Sequence, residues 1–69
     1  MTGVELQMLR QEMGWSQQFL AEKLGVTRSS LAHWEQGRAP VPHHISRSVR
    51  RASRLMGRVF DALESALYF

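Results

Sequence analysis

Within one run of eight residues, Thr27-Arg28-Ser29-Ser30-Leu31-Ala32-His33-Trp34, four side chains have types that can read a surface of donors and acceptors. The arginine fork of Arg28 can hold two neighbouring acceptors at once, the pattern that O6 and N7 of a guanine present. Ser29 can donate or accept. Ala32 offers only a methyl, which suits contact with a thymine methyl group. His33 can donate to a base edge or to a phosphate. The same four residues also suit an ordinary solvated helix surface, and their types alone do not choose between these readings.

Placing them needs the elements around them. Leu31 and Trp34 are three apart and turn toward a core, which leaves Arg28, Ser29, Ala32 and His33 on the outer side of a helix. Ser16 reads as the cap of a helix over 17–24 that Gly25 stops, and Thr27 as the cap of a helix over 28–36 that Gly37 stops. Two short capped helices this close, with Leu20, Leu24, Val26, Leu31 and Trp34 apolar, fit a helix-turn-helix. Such a unit offers its second helix to the major groove. Thr27 and Ser30 carry hydroxyls that can donate to phosphates, and Arg38 lies just past the second helix, where a backbone phosphate contact is expected.

Upstream, Thr2 and Glu5 form a capping box for a first helix over 3–13, with Leu6, Leu9 and Met13 on one face and Gly14 at its end. Downstream, Pro40 and Pro42 break the helical run, and Pro42 suits the first residue of a fourth helix. Ile45, Val49, Ala52, Met56, Val59, Leu63 and Ala66 then recur at spacings of four and three for about three heptads. Arg47, Arg50, Arg51, Arg54 and Arg58 fall opposite. The phase does not slip, so the pattern predicts one helix to about residue 67, with Gly57 as the place where it would bend or break. The arginine face has two readings, a solvated face and a backbone contact led by Arg47. The fold class is all-α: a compact helix-turn-helix bundle of four to five helices with a long amphipathic C-terminal helix.

Composition sets outer bounds. The 69 residues suffice for one small domain and carry a net charge of +3, with arginine supplying all but one of the nine basic residues. A pI near 10.7 points to a polyanion, although solubilising charge explains the same figure. The absence of cysteine excludes disulfides and thiolate metal sites. The lack of cysteine suits a reducing cytoplasm, where the protein is expected; no stretch approaches the roughly 20 apolar residues of a membrane span, and no secretory signal is read at the N-terminus. His43 and His44 are adjacent and point about 100° apart on a helix, so neither a metal nor a cofactor is expected. Nor is an enzyme: the chain shows no nucleophile with a positioned base, no metal set and no phosphate loop.

Leu9-Arg10, Gly14-Trp15-Ser16-Gln17, Leu20-Ala21, Leu24-Gly25-Val26-Thr27, Leu31, Trp34-Glu35, Gly37 and Pro42 together resemble the lambda-type repressor and Cro (XRE-like) helix-turn-helix family, over about residues 6 to 45. A narrower similarity, in size and in the segment from Trp34 to Pro42, is to small phage anti-CRISPR-associated regulators, and antitoxins share the domain. The resemblance implies that Arg28, Ser29, Ala32 and His33 read bases and that Gln17 holds a phosphate at the start of its helix, where free N–H groups favour an anion. It also implies a structural pair between Arg10 and Glu35 that joins the first and third helices. Phe19 departs from the pattern, since that position is usually polar and exposed. A single exposed phenylalanine is ordinary; the other reading packs it under the C-terminal helix or at a dimer contact.

The chain thus reads as one domain over 1–69, with residues 1–42 as the helix-turn-helix part and 43–69 as a helix for core closure and dimerisation. Ile45, Val49 and Ala52 can close the core. Met56, Val59, Phe60, Leu63 and Leu67 need another surface, and a two-fold homodimer supplies it. The expected function is a sequence-specific regulator that binds double-stranded DNA as a dimeric repressor at an inverted repeat. The alternative is an antitoxin-type module whose C-terminal face holds a partner protein while DNA binding serves autoregulation. No membrane partner is expected.

Overall fold

The described residues form four helices, α1 (Gly3–Glu12), α2 (Gln17–Leu24), α3 (Arg28–Glu35) and α4 (His43–Leu67). The computed structural model describes the backbone of residues 1–67 and the side chains of residues 1–55.

The first three helices start as their sequence signals require. Thr2 Oγ1 accepts from the Glu5 N–H, Ser16 Oγ from Phe19 and Thr27 Oγ1 from Ser30, each at 3.1 Å. Each such cap contributes about 1 kcal/mol. Only half of the expected capping box forms at α1: the Glu5 carboxylate reaches across to Arg50 on α4 instead, at 3.3 Å.

The helix ends repeat one device. At the end of α2, Gly25 takes φ +70°, ψ +30°. Its N–H donates to Glu22 O and the following Val26 N–H to Ala21 O. This is a Schellman turn, and its left-handed residue disfavours any side chain with a Cβ. Gly14 and Gly37 close α1 and α3 in the same way. Met13 and Gln36, read as last helical residues, are the caps just beyond them. Pro42 stands one residue ahead of α4 rather than inside it, and its carbonyl takes the first helical bond from the Ser46 N–H at 3.0 Å.

The buried core is Leu6, Met13, Leu20, Ala21, Leu31, Ile45 and Val49. Leu9, Leu24 and Trp34, read as core, are half-buried at its rim together with Trp15, Val26 and Ala52. Among the described residues Leu6, Leu20, Leu31 and Val49 are the largest fully buried side chains, each worth roughly 1.5–3 kcal/mol of transfer from water. Packing runs α2 on α3, and α1 on both α3 and α4. Ile45 and Val49 therefore close the core from α4. Ser46 is buried beside them, its hydroxyl satisfied by the His43 carbonyl at 3.0 Å.

One tight approach has no signal in the sequence. A Cβ placed on Gly3 would lie 2.1 Å from the carbonyl oxygen of Trp34 and 2.8 Å from that of Glu35. The N-terminus of α1 is thus seated on the backbone at the end of α3. Opposite ends of two helix dipoles meet there, a favourable pairing.

Phe19 lies outside the buried core, in keeping with its reading as a single exposed phenylalanine. It is 41% exposed, and its ring meets Trp15 edge to face at 5.0 Å, with Lys23 Nζ 5.2 Å from the ring centre. The helix α4 is continuous through Gly57. At about 1.5 Å per residue its 25 residues span about 37 Å, against about 15 Å for α1. Met56, Val59, Phe60, Leu63 and Leu67, read as a dimer face, lie outside the residues whose side chains are described, as does Arg58.

Candidate nucleic-acid interface

The N-termini of α2 and α3 meet at one edge of the molecule, and a chain of polar contacts ties that edge to the interior. Arg10 is the interior end. Its Nε donates to Glu35 Oε2 at 2.8 Å, its Nη2 to Glu35 Oε1 at 3.0 Å and its Nη1 to the Trp15 carbonyl at 2.9 Å. The two side chains are 12% and 3% exposed. The fork-on-carboxylate geometry fixes both groups in direction as well as distance. It joins α1, the turn after it and α3, as expected for this pair.

Gln17, the first residue of α2, continues the chain outward. Its Nε2 donates to Glu35 Oε1 at 3.3 Å. Its Oε1 accepts from Arg28 Nε, on the first residue of α3, at 3.4 Å. Both ends of the amide are therefore assigned, and Gln17 lies between a buried carboxylate and an exposed arginine. One Nε2 proton remains free to donate outward. The Arg28 side chain is held at its Nε, while its Nη1 and Nη2 donate to nothing among the described residues. The two-pronged end of the fork is the part that a pair of acceptors would meet.

The other candidates on α3 divide by exposure. Ser29 and His33 are exposed, and Ala32 is half-buried between them. Leu31, fully buried, fixes this rotation of the helix, so the outward edge is the one that the spacing predicts. Thr27 and Ser30 hydrogen-bond each other through their hydroxyls at 2.9 Å. That shared bond consumes one O–H, so the pair has a single hydroxyl proton left to donate rather than two.

Arg38 stands out by comparison with its equivalents. In each Schellman turn the residue after the glycine commonly packs back against the helix that it ends. Trp15 and Val26 fill that position after α1 and α2, and both pack against the core. After α3 the position holds Arg38, exposed, its backbone N–H bonded to His33 O at 2.9 Å. The backbone is locked while the charge faces water. Arg47, a turn into α4, is likewise exposed, and neither arginine forms an ion pair among the described residues.

Arg28, Gln17 and Glu35 are thus brought into one network, Thr27 and Ser30 into one pair, and Arg38 and Arg47 stand apart from both. The bracing of Arg28 by Gln17 is the element that sequence reasoning missed. The available signal was that both residues hold the first position of successive helices, eleven apart. No buried side-chain nitrogen or oxygen among the described residues lacks a partner, so the network is complete on its inner side.

The model of the Helix-turn-helix family, HTH_3, matches residues 6–47, well over half of the chain. Comparison with the curated proteins and with the solved structures found no match.

Proposed function

We propose that this chain, which belongs to the helix-turn-helix family and is a DNA-binding transcriptional regulator, acts as a dimeric repressor that reads an inverted repeat. The observation that carries the reading is the edge where Gln17 braces Arg28 and leaves its two terminal nitrogens free. In this reading Arg28, Ser29, Ala32 and His33 meet base edges. Gln17, Arg38, Arg47 and the remaining hydroxyl of Thr27 and Ser30 hold phosphates on either side. The phosphate contacts set register, and the α3 contacts carry sequence information.

Residues 1–42 form the reading unit and 43–69 close the core and pair two copies, all as one domain acting in the cytoplasm. With α4 helices paired, two α3 helices enter successive major grooves about 34 Å apart. Repression then needs only occupancy of a promoter. No helix among the described residues is long and apolar enough to cross a membrane.

Selection from random-sequence duplexes, run in parallel with wild type and Arg28→Ala, tests this. Wild type should enrich a two-fold site, and Arg28→Ala should lose preference at one base pair of each half-site, by about 1–3 kcal/mol. An unchanged site with Arg28→Ala would place the reading edge elsewhere on α3. Enrichment of a single asymmetric site would remove the dimer.

A further inference from the structure

The first turns of α4 carry a charge pattern that neither the fold nor the α3 edge uses. Arg47, Arg51 and Arg54 follow at spacings of four and three and are all exposed, with Arg50 beside them. The core face of the same helix, Ile45 and Val49, lies opposite. Arg50 meets Glu5, but Arg47, Arg51 and Arg54 have no acidic partner among the described residues.

Like charges at i and i+4 destabilise a helix, and here Arg47 faces Arg51 and Arg50 faces Arg54. A face whose task was solubility would do better with alternating signs, which convert the same spacing into attraction. No acidic residue occurs between Glu35 and Asp61 to supply one. The repeated sign is therefore a cost to the free protein that a polyanion would remove. From Arg47 to Arg54 the helix rises about 10 Å, and each strand of a duplex carries one phosphate per about 3.4 Å of the duplex axis. Over that length of axis one strand presents about four phosphates, enough for each of the three arginines to meet one.

We propose that Arg47, Arg51 and Arg54 form a second contact surface for the phosphate backbone of duplex DNA, outside the groove that α3 enters. It rests on the reading of α3 as the groove helix and extends it from one phosphate contact on α4 to three. The surface carries no sequence information. It lengthens the footprint and steepens the salt dependence of binding to any duplex.

The experiment measures binding to a mixed-sequence duplex of about 30 base pairs, some three helical turns, between about 50 and about 200 mM salt. Wild type is compared with Arg47→Gln/Arg51→Gln/Arg54→Gln and with the corresponding triple lysine variant, each checked for helix content and cooperative melting. The glutamine variant should fold normally and reduce the magnitude of the log–log salt slope by about 2–3, at about 0.9 per lost contact. The lysine variant should keep the wild-type slope. A folded glutamine variant with an unchanged slope would overturn the proposal and assign the face to solvent or to an acidic protein. Wild type that binds no duplex at all would instead fail the reading of α3, which separates the two claims.

Discussion

The charges of Arg10 and Glu35 are matched and hidden, whereas along the first half of α4 Arg47, Arg51 and Arg54 are repeated and bare among the described residues. Arg10 uses Nε, Nη1 and Nη2 against Glu35 and a carbonyl, at 12% exposure. Arg47, with the same side chain, is exposed without an ion pair among the described residues. The first arrangement holds three segments in one geometry, and Gln17 links it to Arg28 through longer contacts of 3.3 and 3.4 Å. The second contributes nothing to cohesion that the structure shows. One residue type thus serves two purposes, and the difference lies in whether an acceptor is built into the fold or must come from outside.

The contrast breaks most visibly at Glu35. Glu35→Ala leaves the Arg10 guanidinium buried without its counter-charge, and should cost about 3–5 kcal/mol in urea or thermal unfolding. It also frees Gln17 from its inner anchor. Arg47→Gln should leave stability within about 0.5 kcal/mol of wild type, or raise it slightly by relieving repulsion from Arg51. Equal losses in the two variants would mean that α4 depends on its arginines for folding, and the comparison would collapse.

A smaller effect tests the seat on which the hidden region rests. Gly3→Ala places a methyl against the backbone oxygens of Trp34 and Glu35, where no side chain can turn aside. Overpacking of this kind should cost about 1–3 kcal/mol, although alanine is otherwise the better helix former. Unfolding of Gly3→Ala at or above the wild-type midpoint would show that α1 can slide along α3 without penalty.

What could be read in advance follows the range of each interaction. The caps of α1, α2 and α3 and their glycine ends act within five residues, so Thr2, Ser16, Thr27, Gly14, Gly25 and Gly37 announce them. The outward edge of α3 was legible because Leu31 fixes its rotation. The Arg10–Glu35 pair was available only through a family resemblance, since 25 residues separate its members. The missed features depend on how helices meet, with Ser46 the exception. Gly3 reads as an ordinary first-turn residue until α3 ends above it. Glu5 reads as half of a capping box until Arg50 arrives from 45 residues away. Ser46 is polar by type and buried by position, because its hydroxyl finds a local carbonyl that lets it sit beside Ile45 and Val49.

The smallest effect is the most pointed, because it concerns a single exposed charge. Arg38 occupies the position after a helix-ending glycine where Trp15 and Val26 pack inward at the other two ends. A packed residue there would strengthen the turn, so local stability alone does not favour arginine. The backbone bond from Arg38 N–H to His33 O needs no particular side chain. Arg38→Ala should therefore leave unfolding within about 0.5 kcal/mol of wild type, while the salt slope of duplex binding flattens by about 1 and affinity falls evenly across sequences. Arg28→Ala should do the reverse, changing preference at one base pair more than the slope. A flattened slope with selectivity intact would assign the bare charges to phosphates and the braced one to bases. If Arg38→Ala altered selectivity instead, the loop after α3 would be reading sequence, and the division between a braced reading edge and bare positioning charges would have to be redrawn.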